Sequence, residues 1–224
     1  MSVPAEEYAN DLRVASIKAN LVGGYVIGNW QGEFDLQVVV EPENLTIIPE
    51  GAGTYYYMLN TGNDTDQSIY AAGEWAIGDF GYLTFDVVFF RDGHYMPELS
   101  VSSSLYGIQM LATQVAKFVH GKGGKNMPAE WYDGKLECDL ISVNGRSFDI
   151  RAVRETTMKK LAEGAGRFIV RSARLQSLSG IMLAGGGSMF YRDRLNMAGM
   201  PASIVVPMPG RSNVEGAYLL LCGV

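Results

Sequence analysis

The sequence predicts an α/β chain, with strand-like runs alternating with helical patterns. Ile108, Leu111, Ala112, Val115 and Val119 fall at helical spacing, so that segment has one apolar face. Phe34–Val40 and Val87–Phe90 are short runs rich in β-branched and aromatic residues, as strands require. Ser179–Ala184 reads as a buried strand that runs into Gly185-Gly186-Gly187 and then a helix.

The 224 residues suffice for a substantial core, as one large domain or two small ones. Hydrophobic residues make up 47% and charged residues 19%, a globular composition. A formal charge of −6 argues against direct nucleic-acid binding, whose surfaces are basic as a rule. Cys138 and Cys222 lie far apart without metal-ligand spacing and read as reduced thiols of a cytoplasmic protein. No apolar run reaches the roughly 18 residues that span a bilayer, so no membrane partner is expected.

Taken in order, Val3-Pro4-Ala5-Glu6-Glu7 opens a helix that Gly23-Gly24 ends. Tyr25–Ile27 and Phe34–Val40 are two strands joined at Asn29–Glu33, and Leu45–Ile48 is a short strand. Pro49 opens a helix running to Leu59 with Glu50 in its first turn, where the dipole favours an acid. Thr61–Gln67 is a polar loop. Gly121-Lys122-Gly123-Gly124-Lys125 ends the helix of residues 108–119. With no Ser or Thr after it and no strand before it, this run is a linker and not a Walker loop. A short helix at Ala129–Tyr132 and strands at Leu136–Val143 and Ser147–Ile150 follow. A long helix then spans Ala152–Leu175, interrupted at Gly164 and Gly166. Ile204–Val206 is extended and Asn213–Leu219 closes the chain.

The chemistry centres on Gly78–Asp86, where an acid, a glycine bend, a threonine and a second acid sit between two arms of a hairpin. Such a turn suits a phosphate tail. Glycine lets backbone N–H groups approach an anion, threonine adds a hydroxyl, and a carboxylate holds Mg²⁺ through its waters. An acidic hairpin with a polar turn is the plain alternative. Likewise Gly185–Gly187 suit backbone approach to a flat or anionic ligand at a strand end, or else simply make a tight strand–helix turn.

Asp79-Phe80-Gly81-Tyr82-Leu83-Thr84-Phe85-Asp86 resembles a second phosphate loop, and Leu183–Phe190 an adenosine motif. Pro49-Glu50-Gly51-Ala52-Gly53 resembles a connecting element that carries a water-activating residue, and Asn213–Tyr218 a closing helix. On these motifs the chain resembles the actin-like ATPases, nearest the plasmid-segregation branch typified by ParM. The resemblance implies a ribonuclease-H-like mixed sheet with helices on both faces. It also implies ATP or GTP with Mg²⁺ as cofactors. Asp79 would hold the metal's hydration shell, while Gly81 and Thr84, in one loop with Tyr82, would contact the β- and γ-phosphates. Gly185, Gly186 and Gly187 would pass beneath the adenosine and α-phosphate, and Glu50 would orient the attacking water. Tyr82 and Leu83 stand where many relatives have small residues, so closer backbone approach is expected to be hindered there.

The family also carries a first phosphate hairpin of Asp-x-Gly type, and no such segment precedes Val3. The expectation is a fragment or a truncated gene product. Residues 1–60 would be a remnant of the first actin-like domain with its connecting helix, and 61–224 the second, nucleotide-binding domain. By itself this chain is expected to turn over negligibly. The implied whole protein self-associates into filaments and moves plasmid DNA through a DNA-bound adaptor protein. The alternatives are a non-polymerising ATPase of the wider sugar-kinase and chaperone superfamily, or a degenerate, non-catalytic interaction domain.

Overall fold

The computed structural model describes residues 1–28, 35–173, 178–195 and 202–222. It opens with β1 (Ser2–Val3), α1 (Ala5–Tyr8) and α2 (Asp11–Leu21). The single N-terminal helix expected from sequence is therefore two. The break falls at Asn10, whose extended backbone and side-chain oxygen, accepting the Arg13 N–H at 3.1 Å, cap α2. β2 (Gly23–Gly28) and β3 (Asp35–Val40) form an antiparallel ribbon with Gly23 opposite Val40. The turn expected at Asn29–Glu33 lies outside the described residues, as does Phe34. β4 (Ile48–Pro49), shorter and later than the expected Leu45–Ile48, pairs in parallel with β1.

Two helices follow, α3 (Ala52–Thr61) and α4 (Asp64–Ala71). α4 replaces most of the expected polar loop, because the Asn63 side chain accepts the Asp66 N–H at 3.0 Å and nucleates a turn. The main sheet begins with β5 (Glu74–Phe80), β6 (Phe85–Arg91), β7 (His94–Tyr95) and β8 (Val101–Ser103). α5 (Ile108–Gly121) comes next, then a 3₁₀ segment at Ala129–Lys135 and the small hairpin β9 (Leu140–Val143) with β10 (Arg146–Asp149). α6 (Arg151–Ala173) runs unbroken through Gly164 and Gly166, which corrects the expected interruption. Gly164 is there for packing, since a Cβ on it would lie 2.5 Å from the Tyr106 ring. The expected end of this helix at Leu175 falls outside the described residues. β11 (Leu178–Ala184), α7 (Ser188–Tyr191), β12 (Ser203–Val205) and α8 (Ser212–Cys222) complete the chain.

The sheet order is β12-β11-β5-β6, with β7 and β8 both on the outer edge of β6. β12, β11 and β5 are parallel and β6 is antiparallel to β5, so the sheet is mixed. Period-two alternation then sends side chains to two cores. Ala76, Phe80, Phe85, Val87, Ile181 and Leu183 face Leu111 and Val115 of α5 and Met158 and Ile169 of α6. Trp75, Ile77, Val88, Phe90 and Met182 face Tyr55 and Met58 of α3, with Leu219 of α8 packed alongside. Each fully buried side chain of this kind contributes about 1.5–3 kcal/mol. Helices thus cover both faces of a mixed sheet, as expected.

Candidate functional site

Because β5 and β11 are parallel neighbours with Asp79 beside Ala184, the loops that leave them emerge at the same end of the sheet. The Gly187 N–H donates to the Phe80 carbonyl at 2.9 Å and ties the glycine loop to the hairpin. Gly185 has φ +78°, and a Cβ on it would lie 2.4 Å from Asp79 Oδ1. A Cβ on Gly187 would lie 2.6 Å from Ile108 Cγ1, whereas Gly186 faces open space. Gly186 and Gly187 line a cavity of about 380 Å³ with Phe80, Tyr82, Ile108 and Glu137. A second cavity of about 270 Å³ shares Glu137 and Phe190 with it. Together they match the few hundred cubic ångströms of small-molecule sites, about 300–1,000 Å³.

The hairpin turn lies at the cavity's other wall. The carbonyls of Gly81 and Tyr82 accept from the Ile108 and Gln109 N–H groups at 3.2 and 2.8 Å and so cap α5. The N–H groups of Gly81, Tyr82, Leu83 and Thr84 meet no acceptor among the described residues. Tyr82 carries a buried hydroxyl without a partner among the described residues, and Ser188, at the start of α7, carries another. Unmet polar atoms on both loops are what a polar ligand would satisfy.

Beneath the turn, Asp79 and Asp86 sit directly opposite each other across β5 and β6. Gly51, at φ +87°, lets the start of α3 press onto the same face, where a Cβ would lie 3.7 Å from Asp79 Cβ. Glu50 stands just ahead of that cap and not in the first turn of α3, which corrects its expected place and removes the helix-dipole account of it. Asp86 is buried and accepts from the Ala5 N–H at 3.2 Å and from the Ser102 hydroxyl. Burial first, then Asp86 and Asp79, push the Glu50 carboxyl up to about 7, with a hydrogen bond to Asp86 adding to the shift. Burial and then Asp86 push Asp79 up to about 7 as well. Asn213 Nδ2 donates to Asp79 Oδ2 at 3.3 Å.

The fold therefore brings Glu50, Asp79, Gly81, Tyr82, Thr84, Gly185, Gly186 and Gly187 to one end of the sheet. Sequence reasoning quoted Asp86 without giving it a part. Its signal was the four-residue turn Gly81–Thr84, which pairs it with Asp79. Asn213 enters the sequence reading only as the start of the closing helix, and Glu137 carries no signal, since both reach the site from distant segments. Among the described residues no three His, Cys, Asp or Glu side chains converge as direct metal ligands. The crowded carboxyls still fit a divalent cation held at one remove, because a positive charge would offset the burial and then the mutual repulsion that raise Glu50 and Asp79.

No curated protein matches the chain by sequence. Among solved structures, the archaeal actin homologue Ta0583 in complex with ADP superposes with a TM-score of 0.80 at 20% identity, over 96% of this chain and 68% of that one. A 15-stranded ParM filament from Clostridium botulinum gives 0.83 at 19% identity, over 100% and 66%. Bacillus thuringiensis ParM with ATP gives 0.66 at 16%, over 100% and 67%. The chain spans about two thirds of the length of these neighbours, which share its fold. The family model for the C-terminal part of archaeal MreB-like actin homologues matches residues 77–197, more than half of the chain. The protein is thus a member of the archaeal MreB-like actin homologues, and its fold is the actin-like one.

Proposed function

We propose that this chain is the nucleotide-binding part of an actin-like, ParM-type ATPase that forms filaments and segregates plasmid DNA through a DNA-bound adaptor. One observation carries the nucleotide reading. Two loops with unmet backbone and hydroxyl donors flank a cavity at the ends of parallel strands, and Asp79 directly precedes Phe80, which lines it. Gly81 and Thr84 offer N–H and hydroxyl donors to the β- and γ-phosphates of ATP or GTP, with Tyr82 at the edge of the cavity. Gly185, Gly186 and Gly187 let backbone pass beneath the adenosine and α-phosphate. Asp79 would hold Mg²⁺ through its waters, and the cation, when bound, would supply positive charge toward the phosphates. A cation there would favour the ionised form of Glu50, whose carboxylate would accept a hydrogen bond from the water it orients.

The filament and plasmid-segregation parts draw support from the neighbours, one of which is a ParM filament. Residues 1–60 belong, on this reading, to the first domain and 61–224 to the second. Titration calorimetry of the chain with ATP and GTP, with and without Mg²⁺, tests the site. Light scattering of a complete protein with and without ATP tests filament formation. Absence of any nucleotide binding would favour the non-catalytic interaction domain, and binding without polymer would favour the non-polymerising ATPase.

A further inference from the structure

α3 and α8 cross on the sheet face that carries Trp75 and Ile77, with a glycine from each at the contact. A Cβ on Gly53 would lie 1.9 Å from the Asn213 carbonyl oxygen, and one on Gly216 would lie 1.6 Å from the Gly53 carbonyl oxygen. The buried hydroxyls of Thr54 and Ser212 meet at 2.9 Å one turn away. The first turn of α8 is therefore fixed against α3 with no tolerance for a side chain at either glycine. Asn213 sits in that turn. An ionised carboxylate only accepts, so it requires the amide nitrogen to face Asp79, and that nitrogen lies 3.3 Å from Oδ2. The amide oxygen is left turned toward Gly53, buried and, among the described residues, without a hydrogen-bond partner. An orientation that strands an acceptor is maintained by what the nitrogen gains. Among the described residues no other side chain donates to Asp79.

We infer that Asn213 is a positioning residue for the Asp79 carboxylate, and that the α3–α8 crossing sets where it holds that group. Asn213 aims one oxygen of Asp79 back at the hinge of the two helices and leaves the other, beside Gly185, for the site. A shift of α8 along α3 then changes the aim of Asp79 without any contact between ligand and α8. Only the cation's part in this depends on the nucleotide reading, so one arm of the experiment contains no ligand.

In that arm, urea unfolding at pH 8 compares Asn213→Ala in the wild-type and Asp79→Ala backgrounds. The folding equilibrium constant should fall at least about threefold in the first and change little in the second, since hydrogen bonds to charged groups exceed neutral ones. Gly216→Ala, which touches neither residue's side chain, should shrink that difference. Should Gly216→Ala not fold, Thr54→Val, which deletes only the Thr54–Ser212 hydrogen bond, takes its place. Equal losses in both backgrounds overturn the inference. In the second arm, calorimetry reads the gain in ATP affinity on adding Mg²⁺. Asn213→Ala should cut that gain about tenfold, or ~1.4 kcal/mol, and leave metal-free affinity within about twofold. An unchanged gain overturns the inference. No gain in the wild type, with the ligand-free coupling intact, removes the nucleotide reading and upholds the link from Asn213 to Asp79.

Discussion

At the scale of single residues, the site is dominated by carboxyls that burial and one another make reluctant to ionise. Asp79 titrates near 7 in the fold against about 3.9 in an unfolded chain. Its folded-state pKa is raised, so the folded state holds the proton more tightly. Whatever stability this group confers is complete below about pH 4 and is lost as pH rises through 7. Asp79→Asn should therefore raise the melting temperature at pH 8 by about 4 °C, ~1 kcal/mol or a little more, with the gain fading toward pH 4. Differential scanning fluorimetry across pH reads this directly, and a gain independent of pH would deny the shift. Glu50 obeys the same sign, since it too is raised to about 7. If Glu50 orients the attacking water, Glu50→Gln should slow phosphate release about a hundredfold while ATP affinity is retained. Release per folded molecule that matches the wild type would take Glu50 off the catalytic roster.

At the scale of elements, the glycine loop after β11 separates two kinds of glycine. Gly185 has φ +78° and no room for a Cβ beside Asp79, whereas Gly186 has open space. Gly185→Ala should cost about 2 kcal/mol or more in urea unfolding, and Gly186→Ala under about 1 kcal/mol. A similar cost for both would mean that the close approach to Asp79 is not what the loop requires. Asn63→Ala, at the cap of α4, should cost about 1 kcal/mol. These elements also show what the sequence made legible. α5 was read within a residue or two, because Ile108–Val119 is strongly periodic and its boundaries carry glycine. The strand–glycine–helix of residues 178–191 was read too, and with the hairpin it placed eight site residues at one end of the sheet. α4 was missed because its cap is an asparagine in a polar run, the same composition that a loop has. The break at Asn10 was missed for the same reason, since one side-chain oxygen decides it. Asn213 has its partner 134 residues away, which no local pattern encodes, whereas Asp86 meets Asp79 across a four-residue turn, a local signal that goes unused without the hairpin's register.

At the scale of the whole molecule, two regions differ in how well they are covered. The main sheet is sealed by helices on both faces, but the β2–β3 ribbon leaves Val26, Ile27, Leu36 and Val39 more than half exposed, and α2 buries nothing. A two-stranded ribbon with apolar side chains and open edges invites pairing with another surface. Val26→Lys with Val39→Lys should therefore lower concentration-dependent light scattering of the chain while leaving its melting temperature within about 1–2 °C, the range of surface substitutions. Scattering that is unchanged would place self-association elsewhere.

One joint described above has mechanical weight. The Gly81 and Tyr82 carbonyls close the open N-terminal end of α5, so the hairpin turn and a 14-residue helix are fastened together. That helix is a stiff rod about 21 Å long, at 1.5 Å per residue. Its far end, at His120, is exposed. Whatever tilts the turn tilts the rod, and the excursion is largest at the tip farthest from the fastening. A contact made around His120 would thus be stretched or released by events at the sheet's end, with α5 as the lever between them.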